Sequence, residues 1–195
     1  MTGFDRRCVL KPEVSRDDVE LAVWEMDLNL FEMGDEEADV YVDIWRSDDE
    51  STEVHYVEDR PIGLAYMTLR GAAAQAYEQR IRESLACWSF DEVVDALTGA
   101  VDRDARLVAV YATVLTAAEN PEEQRQREEA VAEQLRHVAA DPDPGIRQSV
   151  VIATGYWPRP ALVEIVREIQ RSDPEPRVRE NARILLEGIR LHGTE

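Results

Sequence analysis

The order of apolar and polar residues predicts a helix early in the chain. Ser15 with Asp18 three residues later has the pattern of a capping box, in which a hydroxyl residue opens a helix and an acidic residue closes the cap. Apolar residues then recur at helical spacing at positions 19, 22, 23, 26, 30 and 33, and four more fall on the opposite side: Leu21, Trp24, Leu28 and Phe31. We therefore predict a helix that ends at Gly34 and is buried on both sides, with Trp24 in the core.

From Asp39 the apolar period changes to two residues, which is typical of β-strands. Three stretches rich in β-branched and aromatic residues show this alternation: 40–45, 52–57 and 62–69. Turn-forming residues separate them. The sequence thus predicts a three-stranded antiparallel meander, which together with the preceding helix makes a small α+β cap over residues 1–70.

After Gly71 every periodic stretch predicts a helix. Four helices are predicted. The first covers residues 72–87, the second follows the capping box of Ser89 and Glu92, the third covers residues 102–118, and the fourth runs from Pro121 to about residue 138.

The last part of the chain then repeats itself. An Asp-Pro sequence opens one helical segment at Asp141 and another at Asp173, 32 residues later. Such a period is typical of stacked helical hairpins, because each hairpin exposes an apolar face that a neighbour covers.

Residues 101–190 resemble the HEAT repeat family, in particular the short bacterial HEAT-like repeats of phycobilisome lyases. The resemblance is carried by Ile146-Arg147, Pro160-Ala161-Leu162 and Val178-Arg179, and Arg106 marks an earlier, more degenerate copy. It implies a mainly α chain: a short α-solenoid of HEAT-like helical hairpins over residues 71–195, preceded by the α+β cap with its three-stranded antiparallel meander. It also implies that four residues are structural and brace neighbouring repeats: Asp141, Arg147, Asp173 and Arg179.

Charge is the strongest feature of the composition. The net charge is −19, and residues 27–59 contain 13 acidic residues and a single basic one, Arg46. This balance disfavours nucleic acid and anionic membranes as partners and favours a basic protein. The residues predicted to form a partner-binding acidic patch are Asp35, Glu36, Glu37, Asp39, Asp48, Asp49 and Glu50. The alternative, weighed equally, is that these acidic residues only keep the protein soluble.

Residues that could carry out chemistry are scattered along the sequence. His55, His137 and His192 have no companion at metal-ligand spacing, and no nucleotide-binding or hydrolase motif is present. We therefore predict no catalytic residue, no metal site and no cofactor, and a protein that is not an enzyme. Cys8 and Cys87 stand alone, and no apolar signal segment follows the N-terminus, which favours a cytoplasmic location.

Two hypotheses of function follow. The first is a non-enzymatic protein-binding module, in its most specific form an immunity or antitoxin-like protein that occludes a basic toxin. The second, by analogy of fold alone, is a lyase-like scaffold that holds a ligand or chromophore near Tyr111 or Trp157. Trp157 lies in a predicted turn, where it is either an exposed partner-binding residue or, as the sequence favours, a plug between repeats. The oligomeric state stays open.

Overall fold

The computed structural model describes residues 6–118 and 124–192, whose contacts divide the chain into two units. The first unit contains residues 6–92 and residue 118, and the second contains residues 93–117 and 124–192. This division falls after residue 92, whereas the boundary predicted from the sequence lies after residue 70.

A five-stranded antiparallel sheet organises the first unit. Its strands are β1 (Arg6–Val9), β2 (Asn29–Glu32), β3 (Val40–Arg46), β4 (Thr52–Asp59) and β5 (Leu64–Gly71), in the spatial order β1-β5-β4-β3-β2. Along β3 the buried positions alternate with half-buried ones, as the pleat of a strand requires. Helices α1 (Arg16–Glu25) and α2 (Ala74–Ser84) pack against one face and share its core with side chains such as Trp45 and Val54.

The first helix is shorter than predicted. The capping box of Ser15 and Asp18 is confirmed, but α1 ends at Glu25 and the chain becomes extended again from Asn29. Asp27 lies in the left-handed region with φ of 57°, which stops the helix before the apolar residues that follow it. The prediction of a helix reaching Gly34 is wrong because it combined one helical face with the alternating residues of β2.

The predicted fold class is also wrong. The sheet is not a three-stranded meander, since β1 and β2 add an edge strand on each side of the three predicted strands. Both additions are only four residues long, too short for a clear periodic signal. With a five-stranded sheet and eight α-helices in the described residues, the chain is a mixed α+β protein rather than a mainly α solenoid with a small cap.

The second unit is helical in its described residues. After α3 (Phe90–Gly99), which follows the confirmed capping box of Ser89 and Glu92, come α4 (Arg103–Ala117), α5 (Gln124–Ala139), α6 (Pro144–Tyr156), α7 (Pro160–Ser172) and α8 (Pro176–His192). Helix α6 packs against both α4 and α8, and α5 packs against α7, so the helices form two layers. A proline at the start of α6 and of α7 fixes φ where no backbone donor is needed. The predicted helix start at Pro121 lies outside the described residues.

Arginine–aspartate pairs join successive helices of one layer. Arg147 near the start of α6 forms two hydrogen bonds with the carboxylate of Asp173, Nε to Oδ2 at 2.7 Å and Nη2 to Oδ1 at 2.9 Å. Its third nitrogen donates to the carbonyl oxygens of Asp141 and Pro142 at 2.9 and 3.0 Å. Arg106 of α4 makes the preceding pair, with the carboxylate of Asp141 at 2.9 Å.

Arg179 at the start of α8 has the same position in its own Asp-Pro turn. Its Nη1 donates to the carbonyl oxygens of Asp173 and Pro174, as Arg147 does one repeat earlier. Arg147 and Arg179 therefore each hold the turn that precedes their own helix, and Arg106 and Arg147 each hold the aspartate of the following Asp-Pro turn.

Candidate protein-binding surface

Large apolar side chains are exposed around α1 and β2. Trp24 is 74% exposed and Met33 70%, and their neighbours Leu21, Leu30 and Phe31 are each more than half exposed. An isolated exposed apolar residue is ordinary in a folded protein, but a contiguous group marks a surface for association. Of these five residues, Trp24, Leu30 and Met33 line a common groove and define the first part of a candidate protein-binding surface. The Phe31 ring instead stacks on the Arg46 guanidinium, on the other face of the sheet.

A groove runs between α1 and β2 beside this group. We call it the α1–β2 groove; it encloses about 470 Å³ and is lined by Arg16, Glu20, Val23, Trp24, Leu28, Asn29, Leu30, Met33, Tyr41, Asp43 and Trp45. Its walls carry the exposed Trp24, Leu30 and Met33, and the buried rings of Tyr41 and Trp45 lie beneath. The groove therefore combines an apolar part, formed by these tryptophan, leucine, methionine and tyrosine side chains, with the polar side chains of Arg16, Glu20, Asn29 and Asp43.

A network of polar contacts supports one end of the groove. The Tyr41 hydroxyl donates to Asp43 Oδ1 at 2.7 Å, and the same oxygen accepts the backbone N–H of Gly34 at 2.9 Å. The guanidinium of Arg16 lies 4.1 Å from the centre of the Tyr41 ring and donates to Glu36. Burial, followed by the hydrogen bond to Asp43, raises the pKa of Tyr41 to about 12, so its hydroxyl stays a donor.

The seven acidic residues predicted to form one patch lie in two groups. Asp35, Glu36, Glu37 and Asp39 belong to the loop between β2 and β3, which we call the loop cluster. Asp48, Asp49 and Glu50 belong to the turn between β3 and β4, which we call the turn cluster. All seven are exposed, but β3 separates the two clusters, and its seven residues span about 20 Å at roughly 3.3 Å each.

Some of these carboxylates are engaged within the protein. Glu36 contacts Arg16 and Arg60, and the hydrogen bond from Arg16 holds the pKa of Glu36 below its usual value. Asp49 accepts the Ser47 hydroxyl at 2.6 Å, which lowers the pKa of Asp49 and fixes the turn. Asp48 accepts the side-chain amide of Asn29 at 2.7 Å, which places the turn cluster beside the first residue of β2.

The clusters therefore stand at opposite ends of β2. The turn cluster adjoins Asn29, where β2 begins, and the loop cluster follows Met33, just after β2 ends. Between them lie the exposed apolar residues of the groove. The sequence identified the acidic residues but neither this spacing nor the apolar strip that separates them.

The remaining predicted site residue, Trp157, lies in the interior. It is 6% exposed and caps the end of α6, with the Arg159 guanidinium 5.7 Å from its ring centre. Trp157 is therefore not on the surface. A groove beside Arg147 and Asp173 is lined neither by Trp157 nor by Tyr111, which is also buried. That groove therefore does not support the alternative hypothesis, in which an aromatic ligand is held near Trp157 or Tyr111.

Within residues 6–118 and 124–192, no three or more His, Cys, Asp or Glu side chains are grouped so that they could hold a metal ion. Over the same residues, no helix combines the length and apolar character needed to cross a bilayer.

Comparison with protein-family models, with curated proteins and with solved structures finds no match for this chain. The resemblance to the HEAT repeat family therefore stays a prediction, and the geometry of the α1–β2 surface is what indicates a function.

Sequence reasoning missed the residues that make this surface apolar. Trp24 was predicted to be buried, yet it is the most exposed tryptophan side chain among the described residues. The sequence did contain a signal for this exposed apolar side, because apolar residues lie on both sides of the predicted helix. A helix that is apolar all round needs neighbours on every side, and the structure covers only the side with Val19 and Val23.

Proposed function

We propose that this protein is a non-enzymatic binding module that captures a basic protein through the α1–β2 groove and the two acidic clusters beside it. The observation that carries the proposal is the contiguity of Trp24, Leu30 and Met33 with carboxylates at both ends of β2. Tryptophan is the residue type most enriched at the energetic centres of protein interfaces, and acidic residues around such a centre accelerate encounter with a cationic partner.

The charge of the chain supports the same choice of partner. A net charge of −19 repels phosphate backbones and anionic lipids and attracts basic proteins over a distance set by the salt concentration. In its most specific form the proposal is an immunity or antitoxin-like role in the cytoplasm, in which the acidic surface occludes a basic toxin.

The test compares affinity purifications from the organism that encodes the chain. The bait proteins are the wild type, Trp24→Ala, and Ile184→Ser as a matched control, since Ile184 is also an exposed large apolar residue, 54% exposed, but lies on α8. We expect a basic protein that is retained by the wild type and by Ile184→Ser, lost with Trp24→Ala, and released as the salt concentration rises.

The proposal fails if no basic protein is retained, or if the retained protein binds Trp24→Ala as well as it binds the wild type. Binding that is insensitive to salt would also contradict it, because interactions among exposed charges weaken as the salt concentration rises. Circular dichroism of each variant checks that the bait is folded; because Trp24 is mostly exposed, its loss leaves the core intact.

A further inference from the structure

We infer that the partner enters the α1–β2 groove as an extended segment with apolar side chains at its centre and a lysine or arginine at each end. The inference rests on the proposed function and specifies the chemistry of the partner. Three features of the structure carry it: the open edge of β2, the apolar groove beside that edge, and the distance between the acidic clusters.

The open edge comes from the sheet order. Strand β2 is the last strand in the order β1-β5-β4-β3-β2, and all four of its residues are exposed. Among residues 6–118 and 124–192 it pairs with β3 alone, on one side, so its other edge can form backbone hydrogen bonds with an added extended segment. A bulge between Leu30 and Glu32 shifts the register, so part of the contact must come from side chains rather than from a continuous ladder.

The groove supplies that side-chain contact. Leu30 is opposite Trp45 in the pairing of β2 with β3, so it stands on the sheet face that α1 covers. The exposed ring of Trp24 lines the same groove from α1. An apolar side chain of the partner placed between them would remove apolar surface of both from water, which is the usual source of affinity at an interface centre.

The acidic clusters fix the length of the segment. The turn cluster and the loop cluster are separated by the length of β3, about 20 Å, which an extended chain spans with about six or seven residues at roughly 3.3 Å each. A helix would need about 13 residues for the same distance at 1.5 Å each. Within the two clusters, Asp48 contacts Asn29 at the start of β2 and Asp35 follows the end of β2 by three residues, so the cations of an extended partner segment belong near these two residues.

Synthetic peptides without tryptophan test the inference directly. The probe is a seven-residue peptide with lysine at both ends and valine alternating with threonine between them, and the readout is the fluorescence of the full protein. Trp24 is 74% exposed whereas Trp45 and Trp157 are buried, so binding shifts the emission of Trp24 to shorter wavelength. We expect a saturable shift with the wild type, none with Trp24→Phe, and binding about tenfold weaker when the lysines are only three residues apart.

Exchanging the charges of Asp48 and of one end of the peptide gives a second test of the inference. Asp48→Lys should weaken binding of the probe by about tenfold. A peptide with glutamate at one end should recover this loss, and a peptide with glutamate at the other end should not, which also gives the direction of the segment. The inference is overturned if neither peptide recovers binding, or if a 13-residue amphipathic helical peptide with the same end charges binds more tightly than the extended probe.

The peptide result and the purification result separate the two proposals. If the peptides fail while a basic protein still depends on Trp24, the extended segment is wrong and the binding function stands. If the peptides bind and no basic protein is retained, the groove recognises such a segment but the proposed function fails. Loss of both would remove the α1–β2 groove as a binding site.

Discussion

Replacing Arg147 by methionine should destabilise the second unit more than any change at an exposed ion pair. The side chains of Arg147 and Asp173 are 8% and 2% exposed, and two hydrogen bonds join them. Methionine keeps much of the length and the apolar stem of arginine but removes all four hydrogen bonds, including those to the carbonyl oxygens of Asp141 and Pro142. Within the part of the chain that the structure describes, the buried carboxylate of Asp173 then keeps one hydrogen-bond donor, the backbone N–H of Glu175.

Removing one member of a buried ion pair typically costs about 3–5 kcal/mol, because the remaining charge is desolvated without compensation. At about 2 kcal/mol per molar urea, a loss of about 4 kcal/mol lowers the midpoint of urea unfolding by about 2 M. Substituting both partners, Arg147→Met with Asp173→Leu, should recover much of the loss, since an apolar pair of similar volume leaves no buried charge.

The effect should also depend on pH. The hydrogen bond from Arg147 holds the pKa of Asp173 below its ordinary value of 3.8, although burial opposes the shift. A carboxylate whose pKa is lower in the folded state stabilises the fold above its unfolded pKa and loses that contribution as the pH falls through its folded value. The difference between wild type and Arg147→Met is therefore full at pH 7 and shrinks below about pH 4.

Urea unfolding followed by circular dichroism at 222 nm measures these differences, because most of the helical signal comes from the second unit. Arg183→Met is the control: its partners Glu180 and Glu187 lie on the exposed surface of α8, so the midpoint should change little. A fall of less than about 1 kcal/mol in the free energy of unfolding of Arg147→Met, or no recovery in the double variant, would refute the reasoning.

Three further predictions concern the first unit. Gly34→Ala should lower the free energy of unfolding by about 1–3 kcal/mol, measured by urea unfolding, because a methyl group there comes within 2.8 Å of the Tyr41 ring and of backbone; an unchanged midpoint would contradict this. Glu50→Gly should raise it by about 1 kcal/mol, since Glu50 has φ of 55° and glycine adopts that conformation without strain; Glu50→Ala, which keeps the strain, is the control. Hydrogen bonds, first from Lys11, lower the pKa of Glu92 from 4.5 to about 2, so wild type should lose more stability than Glu92→Gln between those pH values as the pH falls; parallel acid-unfolding curves would count against it.

Local signals in the sequence predicted the elements whose causes are local. The capping boxes at Ser15 and Ser89 depend on two side chains three residues apart, and both form. Prolines placed at the first positions of α6 and α7 likewise act through their own backbone. The three central strands were found because each is long enough to show its alternation.

Elements that depend on distant partners were not predicted. Strand β2 is four residues long and is extended because it pairs with β3, and its start follows a left-handed Asp27 that no glycine marks in the sequence. The candidate surface depends on that same pairing. The acidic residues could be found by counting charges, but their separation into two clusters, and the exposure of Trp24 between them, follow from where β2 lies in the sheet.

The recurrence of one arginine–aspartate contact gives the helical unit a built-in module length. Asp173 occupies in its turn the place that Asp141 occupies 32 residues earlier, and the guanidinium groups of Arg106 and Arg147 each pair with one of these two carboxylates. Deleting residues 141–172 would thus place Asp173 where Asp141 contacts Arg106, and α8 in the position of α6. Gain or loss of a whole module therefore preserves the joint between neighbours. The joint also tolerates some variation within a module, since Asp141 follows Arg106 by 35 residues whereas Asp173 follows Arg147 by 26.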